Sequence, residues 1–217
     1  AKSADGYLMI AVGLALLALA VLLFRAHAPL PALACLVLGL IALAGLYMLA
    51  PNQAAALTLF GAYTGSDRKE GLRWANPLAI KKKVSLRDRN LNAPTLKVND
   101  LRGNPIEISA VVVWRVRDSA QALFQVDDFE AYVRVQAEAA IRHLAASYAY
   151  DEGEDLASGA ITLRGGQEQV AEALKVELQS RFADAGVDVV SATLSHLAYA
   201  PEIAGAIECD RRLGPDG

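Results

Sequence analysis

An α+β domain carried behind a helical hairpin in a membrane is the architecture this sequence predicts, and three observations predict it. Two apolar runs without a charge, Tyr7 to Phe24 and Leu30 to Ala50, open the chain of 217 residues. The stretch Leu101 to Val116, LRGNPIEISAVVVWRV, follows: a turn signal and then a long alternating run from Ile106. Behind it the periodicity turns helical and then returns to a strand. Strands, then helices, then a strand is the order of an antiparallel-rich sheet packed by helices.

Each apolar run has about the 20 residues that cross a bilayer as a helix. A cleaved secretory signal is disfavoured for the first run, because a second run follows at once and no polar mature start intervenes. A buried soluble hairpin is disfavoured because both runs are apolar all round. The connection holds Arg25, His27, Pro29 and Pro31, and the prolines end one helix and begin the next. A full span and a re-entrant dip both fit, and either puts the two flanks of the hairpin on one side. Gly39, Ala42 and Gly45 would allow close helix approach, or are ordinary filler. Lys2, Arg68, Lys69, Arg73 and Lys81-Lys82-Lys83 on the flanks outnumber Arg25 and His27 in the loop, which favours a cytoplasmic domain.

Beyond Pro51 the spacing predicts a strand at Ala54 to Phe60, a loop at Gly61 to Gly71 and a strand at Ile80 to Arg89. Leu91 to Val98 pairs back on the central strand across the turn Arg102-Gly103-Asn104-Pro105. In that central strand Ile106, Ile108, Ala110, Val112, Trp114 and Val116 share one face, which is expected to lie in a core. A short helix at Asp118 to Gln125 and a longer one opened by Asp127 follow, the second with a capping box. Its apolar face is Phe129, Tyr132, Val133, Ala140, Ile141, Leu144 and Tyr148. A polar loop at Ala149 to Gly165 leads to a helix at Gly166 to Ala185, with Val170, Leu174, Leu178 and Phe182 four apart and Gly186 just past its end. Val187 to Tyr199 is a strand, and Glu202 to Leu213 a last helix. The expected domains are residues 1–50, the hairpin; 51–200, the α+β domain; and 201–217, the start of a C-terminal helix.

Charge divides this domain. Residues 51–117 hold 12 Lys and Arg against 5 Asp and Glu, a net +7; residues 118–217 hold 7 against 18, a net −11. The basic half adjoins the membrane in sequence, where anionic lipid attracts it. We expect Lys81, Lys82 and Lys83 to face headgroups, and Arg87 and Arg89 to be freer for a neighbouring subunit. Nucleic acid is disfavoured, since no recognition motif accompanies the basic half and the acidic half repels phosphate.

Catalytic chemistry is hard to find. His27, His143 and His196 lack a second ligand at metal spacing. Cys35 and Cys209 lie in different segments, so no structural disulfide is indicated. The cluster Asp151-Glu152-Gly153-Glu154-Asp155 lacks calcium-loop spacing. Ser195 and His196, adjacent on a strand, should point to opposite faces. No cofactor, metal or enzymatic site is expected.

The stretch LKVNDLRGNPIEISAVVVWRVRD, preceded by GLRWANPLAIKKKVSLRDRN, resembles the SPFH (Band 7) family of stomatins, prohibitins and flotillins. The likeness runs from about Pro51 to Ile203 and is nearest to bacterial stomatin- or slipin-like members with an N-terminal membrane hairpin. It implies a non-enzymatic, membrane-bound homo-oligomer, often a ring or cage, that organises membrane patches and regulates partners such as AAA+ proteases, channels or transporters. An accessory subunit of a membrane protease or other membrane enzyme is the alternative. The family usually continues from the helix near Glu202 into a coiled coil, and no heptad run occurs in this chain.

Overall fold

The computed structural model describes residues 3–151 and 161–201. Two compact units divide between Arg87 and Asp88. The hairpin therefore belongs to the same unit as the strands up to residue 87. The last predicted helix, Glu202 to Leu213, and the acidic positions 152–155 lie outside the described residues.

The first unit starts with a two-residue strand, β1 (Ala4–Asp5), and α1 (Gly6–Arg25). Asp5 caps α1 by accepting from the Tyr7 N–H at 2.9 Å. α2 (Pro29–Ala44) packs along α1. Gly13 and Gly39 set their approach: a Cβ on Gly39 would stand 3.0 Å from Leu17 Cδ2 and 3.2 Å from the Gly13 carbonyl oxygen. Ala42 is buried as well, whereas Gly45 answers to a different neighbour, Trp74, whose Nε1 would lie 2.3 Å from a Cβ there.

The second apolar run does not stay helical to Ala50. It turns at Gly45 into β2 (Leu46–Leu49). The reason is visible in the alternation: Tyr47 and Leu49 are buried while Leu46 and Met48 are less so. A period of two wins over the continuous hydrophobicity that suggested one helix. At 16 residues α2 is about 24 Å long, against about 30 Å for α1.

β3 (Gln53–Leu59), β4 (Ala62–Asp67) and β6 (Ile80–Ser85) form one antiparallel sheet in the order β4-β3-β6. β5 (Gly71–Trp74) is the middle strand of another, β1-β5-β2. The stretch Gly61 to Gly71, expected to be a loop, thus contains β4 and begins β5. Its turn-rich composition concealed a hairpin closed by only two residues, Phe60 and Gly61, with Leu59 paired to Ala62. Ala54, Ala55 and Ala56 in β3 are fully buried, and Tyr47, Leu49, Ala55, Leu57 and Ala75 form one core cluster.

The second unit is built on β9 (Pro105–Val116). β7 (Arg89–Asn92) and β8 (Leu96–Asn99) pair with successive parts of one edge, and β10 (Val187–Tyr199) runs along the other, all antiparallel. The expected long strand before the turn is broken at Ala93-Pro94-Thr95, where Pro94 removes a ladder donor. Ile106, Ile108, Ala110, Val112, Trp114 and Val116 are all buried, as the alternation predicts. Asp100 organises the β8–β9 turn: its carboxylate accepts from the N–H groups of Arg102 (2.9 Å), Asn104 (2.8 Å) and Tyr150 (3.1 Å).

α3 (Ser119–Phe124) is capped by Asp118, and α4 (Phe129–Ser147) by Asp128 rather than Asp127. The Asp128 carboxylate accepts from Glu130 N–H and Ala131 N–H, so the expected cap slides one residue along. α4 rests on β8 and β9 and on α5 (Gln167–Phe182), which covers β10. Val170, Leu174, Leu178 and Phe182 are fully buried. Gly186 follows in the left-handed region at φ +64°, as its place past the helix predicts.

Candidate functional site: the root of the hairpin

The strands that flank the hairpin meet on β5. Ala4 and Leu46, one from each end of the hairpin, both pair with Trp74, on opposite edges of the strand. Trp74 also donates its indole N–H to the Ala42 carbonyl at 2.8 Å, satisfying one of the acceptors left open at the end of α2. The Ala75 N–H bonds the Gly45 carbonyl at 3.0 Å. Both ends of the hairpin are therefore held on one sheet.

A polar clasp lies beside this joint. Tyr47 donates to Asp67 Oδ2 at 2.6 Å, and Arg73 Nε reaches the same oxygen at 3.4 Å. Arg73 Nη2 donates to the Ser3 carbonyl (3.1 Å) and Ser3 Oγ (2.6 Å). Burial works to raise the Asp67 pKa. The hydrogen bonds from Tyr47, Ser3 and the Lys69 N–H, with the Arg73 charge, outweigh it and hold the carboxyl below its ordinary range. Burial, with the adjoining carboxylate, pushes the Tyr47 phenol up, so it remains a donor. Asp67 lay unremarked in an apparent loop. Nothing in the local sequence sets it apart from Glu70, three residues on, because its partners come from β2, β5 and the start of the chain.

The lysine run lies on β6 in this unit. The Lys81 ammonium sits 5.4 Å from the Tyr47 ring centroid, and burial lowers its pKa. Lys83 Nζ donates to the Met48 carbonyl at 2.8 Å, and Lys82 is exposed on the strand's other side. Arg87 is exposed, its N–H bonded to Ser85 Oγ at 3.3 Å.

Arg89, in the second unit, is engaged within its own chain. Its guanidinium lies 5.4 Å from the Trp114 ring and 5.5 Å from the Phe129 ring and forms an ion pair with Glu130. Trp114 and Phe129 meet edge to face at 6.1 Å. The expectation that Arg89 is the freer group for a neighbour thus meets a side chain already occupied. Register explains it: Arg89 lies opposite Trp114.

The histidines stand apart. His143 Nδ1 lies 3.5 Å from Glu177 Oε1 on exposed helix surface. His196 and Ser195 do not face opposite ways as expected of strand neighbours. The β10–β9 register shifts between Leu194 and His196, so Ser195 Oγ meets Ser109 Oγ at 2.7 Å while His196 Nε2 lies 3.9 Å from Glu107 Oε2. Ser109 and Glu107 share one face of β9, so the bulge puts both side chains there. The hydroxyl's partner is another hydroxyl. Cys35 lies half-buried in α2, and Cys209 is outside the described residues. Among the described residues, no three His, Cys, Asp or Glu are placed to hold a metal ion.

An apolar N-terminal helix pair, rooted on a three-stranded sheet, is followed in the chain by mixed helix and antiparallel sheet, an architecture that fits membrane association. The family model described as SPFH domain / Band 7 family matches residues 48–212, and the chain belongs to that family. Its members are generally membrane-associated scaffolds without enzymatic activity. No curated protein matches the chain.

Proposed function

We propose that this chain is a membrane-anchored scaffold of the stomatin or slipin type. Copies assemble side by side into a ring or cage that organises a membrane patch and regulates partner membrane proteins, AAA+ proteases among them. The placement we propose is the inner membrane of a bacterium, with the domain on the cytoplasmic side.

One observation carries the anchoring. α1 is a 20-residue apolar helix in which only Gly6, Gly13 and Ala20 are buried. A core helix of a soluble protein would be covered by its own fold, and this one is left for lipid. The shared sheet at the root supports a hairpin whose ends return to the same side.

Assembly is supported by the charge division. Ring contacts are heterologous, so opposite signs on two surfaces of each copy would favour one direction of packing. Lys81, Lys82 and Lys83 are proposed to lie toward anionic headgroups and Arg87 toward a neighbour; Arg89, held by Trp114, Phe129 and Glu130, would reach a neighbour only by leaving them.

The test is extraction and sizing of the full chain. The protein should stay with membranes in alkaline carbonate, and gentle detergent should release particles of many subunits with ring outlines in negative stain. Release by carbonate would end the anchoring reading. Single-subunit particles in several mild detergents would end the scaffold reading.

A further inference from the structure

A large apolar side chain stands where the fold has no use for it. Phe60 and Gly61 form the two-residue turn between β3 and β4, at φ +50° and +85°. Positive φ at both central residues is the pattern of a type I′ turn, which favours Asn, Asp or Gly first. Phenylalanine is strained there, and this one is 85% exposed. Strain at a large apolar residue this exposed points to a task outside the fold.

Its neighbours share the character. Thr58 pairs with Tyr63 on one side and with Ile80 on the other, so these lie at the same end of the sheet as Phe60. Leu78 lies in the turn just before β6, closed by the Ala79 N–H to the Asn76 carbonyl at 2.9 Å. Leu78 is 65% and Ile80 61% exposed.

That end is the one from which the hairpin rises. β5 runs toward the helices, ending at Trp74 and Ala75, which bond Ala42 and Gly45 of the α2 terminus. After the Asn76–Ala79 turn β6 starts beside the helix root and runs away from it alongside β2, for Lys81 lies over Tyr47 and Lys83 reaches the Met48 carbonyl, one residue farther from the root. β3 is antiparallel to β6 and ends there, at Phe60.

We propose that Phe60, Leu78 and Ile80 are seated in the interfacial layer of the leaflet from which the hairpin rises, so that this sheet tip is a second point of membrane contact. Continuity with the apolar hairpin argues for lipid as the occupant. So does the basic strand behind the tip: Lys81 and Lys82 follow Ile80 at about 3 Å per residue, the level of headgroup phosphates. Aromatic rings with a polar end, such as half-exposed Tyr63, suit the same layer.

The inference rests on the membrane anchoring proposed above, and one experiment separates the two. The full chain, with Cys35→Ala and Cys209→Ser, is reconstituted in vesicles of phosphatidylethanolamine and phosphatidylglycerol. A polarity-sensitive fluorophore is attached singly through Phe60→Cys, Leu78→Cys, Ser85→Cys or Val21→Cys. The labels at positions 60 and 78 should be blue-shifted, quenched by lipid carrying a nitroxide high on its acyl chain, and shielded from aqueous iodide. The label at 85, at the far end of β6, should show the reverse. Iodide quenching at 60 and 78 equal to that at 85 would overturn the inference. So would shielding from iodide without lipid quenching, because a protein surface would then cover the tip. The label at 21 reports the hairpin: lipid quenching there with none at 60 and 78 sinks the tip alone, and none at any site sinks both readings. Phe60→Asn checks the premise without a label. It should leave thermal stability unchanged or higher, and loss of the folded state would show that the fold needs the phenylalanine.

Discussion

The two units solve the problem of a core in different ways. In the second, large aliphatic and aromatic side chains from β9, α4 and α5 interlock: Ile106, Ile108, Trp114, Ile141, Leu174, Leu178 and Phe182 are all buried. In the first, β3 contributes three consecutive buried alanines, and a hydrogen-bonded tyrosine, aspartate and arginine do much of the joining. Apolar burial stabilises at roughly 25 cal/mol per Å², so alanines contribute little each. The second unit therefore holds itself by packing. The first depends on geometry: a glycine contact between helices, a three-stranded root and a buried carboxylate whose partners must all be present.

The widest separation between the units should appear at Trp114. Trp114→Ala removes the wall against which Phe129 and the Arg89 guanidinium rest, and should cost about 3–5 kcal/mol. Denaturant unfolding in detergent, followed by hydrogen exchange, should show the loss in residues 88–201 and little change before Arg87. An equal loss of protection in both units would mean that they unfold as one.

Asp67 is the corresponding weak point of the first unit. Asp67→Ala leaves the Tyr47 hydroxyl and Arg73 short of an acceptor and should cost about 1–3 kcal/mol, with exchange rising in β1, β2 and β5. The carboxyl's pKa is depressed in the folded state. Its stabilisation is therefore complete above the unfolded value of about 3.9 and is lost as pH falls through the lower folded value. Melting of the native chain should drop along that acid limb, and Asp67→Asn should flatten the drop. An unchanged limb would remove Asp67 from the account.

Gly186 offers a smaller test within the packed unit. A Cβ there would stand 2.7 Å from Gln121 Cβ and 2.8 Å from the Asp118 carbonyl oxygen, at φ +64°. Gly186→Ala should cost about 1–2 kcal/mol from the left-handed backbone alone, more if the α3 contact cannot yield. A melting temperature within error of the parent would show that the α3 turn moves freely.

The same contrast explains what could be read from the sequence. The second unit was legible because its core uses one face of each element: the six alternating residues of β9, the four-residue spacing of α5 and the glycine after it all say one thing. The first unit was less so. Gly45 and the alternation of Tyr47 and Leu49 were lost inside a continuous apolar run. β4 carries Tyr63, Thr64, Gly65 and Ser66, a turn composition, and its pairing comes from a two-residue hairpin that Phe60 disguises. The clasp was out of reach because it joins Ser3 to Arg73 across seventy positions, and nothing local marks such a pair. The slip at Ser195 was hidden for a similar reason, since a bulge is a property of two strands in register.

The smallest expected effect bears on assembly, where the units differ in a single pair of arginines. Arg87 closes the first unit with its side chain exposed; Arg89 opens the second with its guanidinium held by Trp114, Phe129 and Glu130. Reversing Arg89 would place a carboxylate beside Glu130 and against two ring faces that favour a cation, so Arg89→Glu should lower the stability of its own unit whatever it does to particle size. Arg87→Glu has no such internal cost, and it is the cleaner probe of a subunit contact. A single exposed ion pair is worth roughly 0–1 kcal/mol, but a ring repeats the loss at every interface. Sizing at low salt, where screening is weakest, should therefore show smaller particles for Arg87→Glu with an unchanged melting temperature. Acidic positions of α4 and α5 changed to lysine should restore part of the size if they face Arg87 in the neighbour. Particles of parental size for Arg87→Glu, alongside melting lowered only by Arg89→Glu, would confine both arginines to their own chain and leave the ring contact to other surfaces.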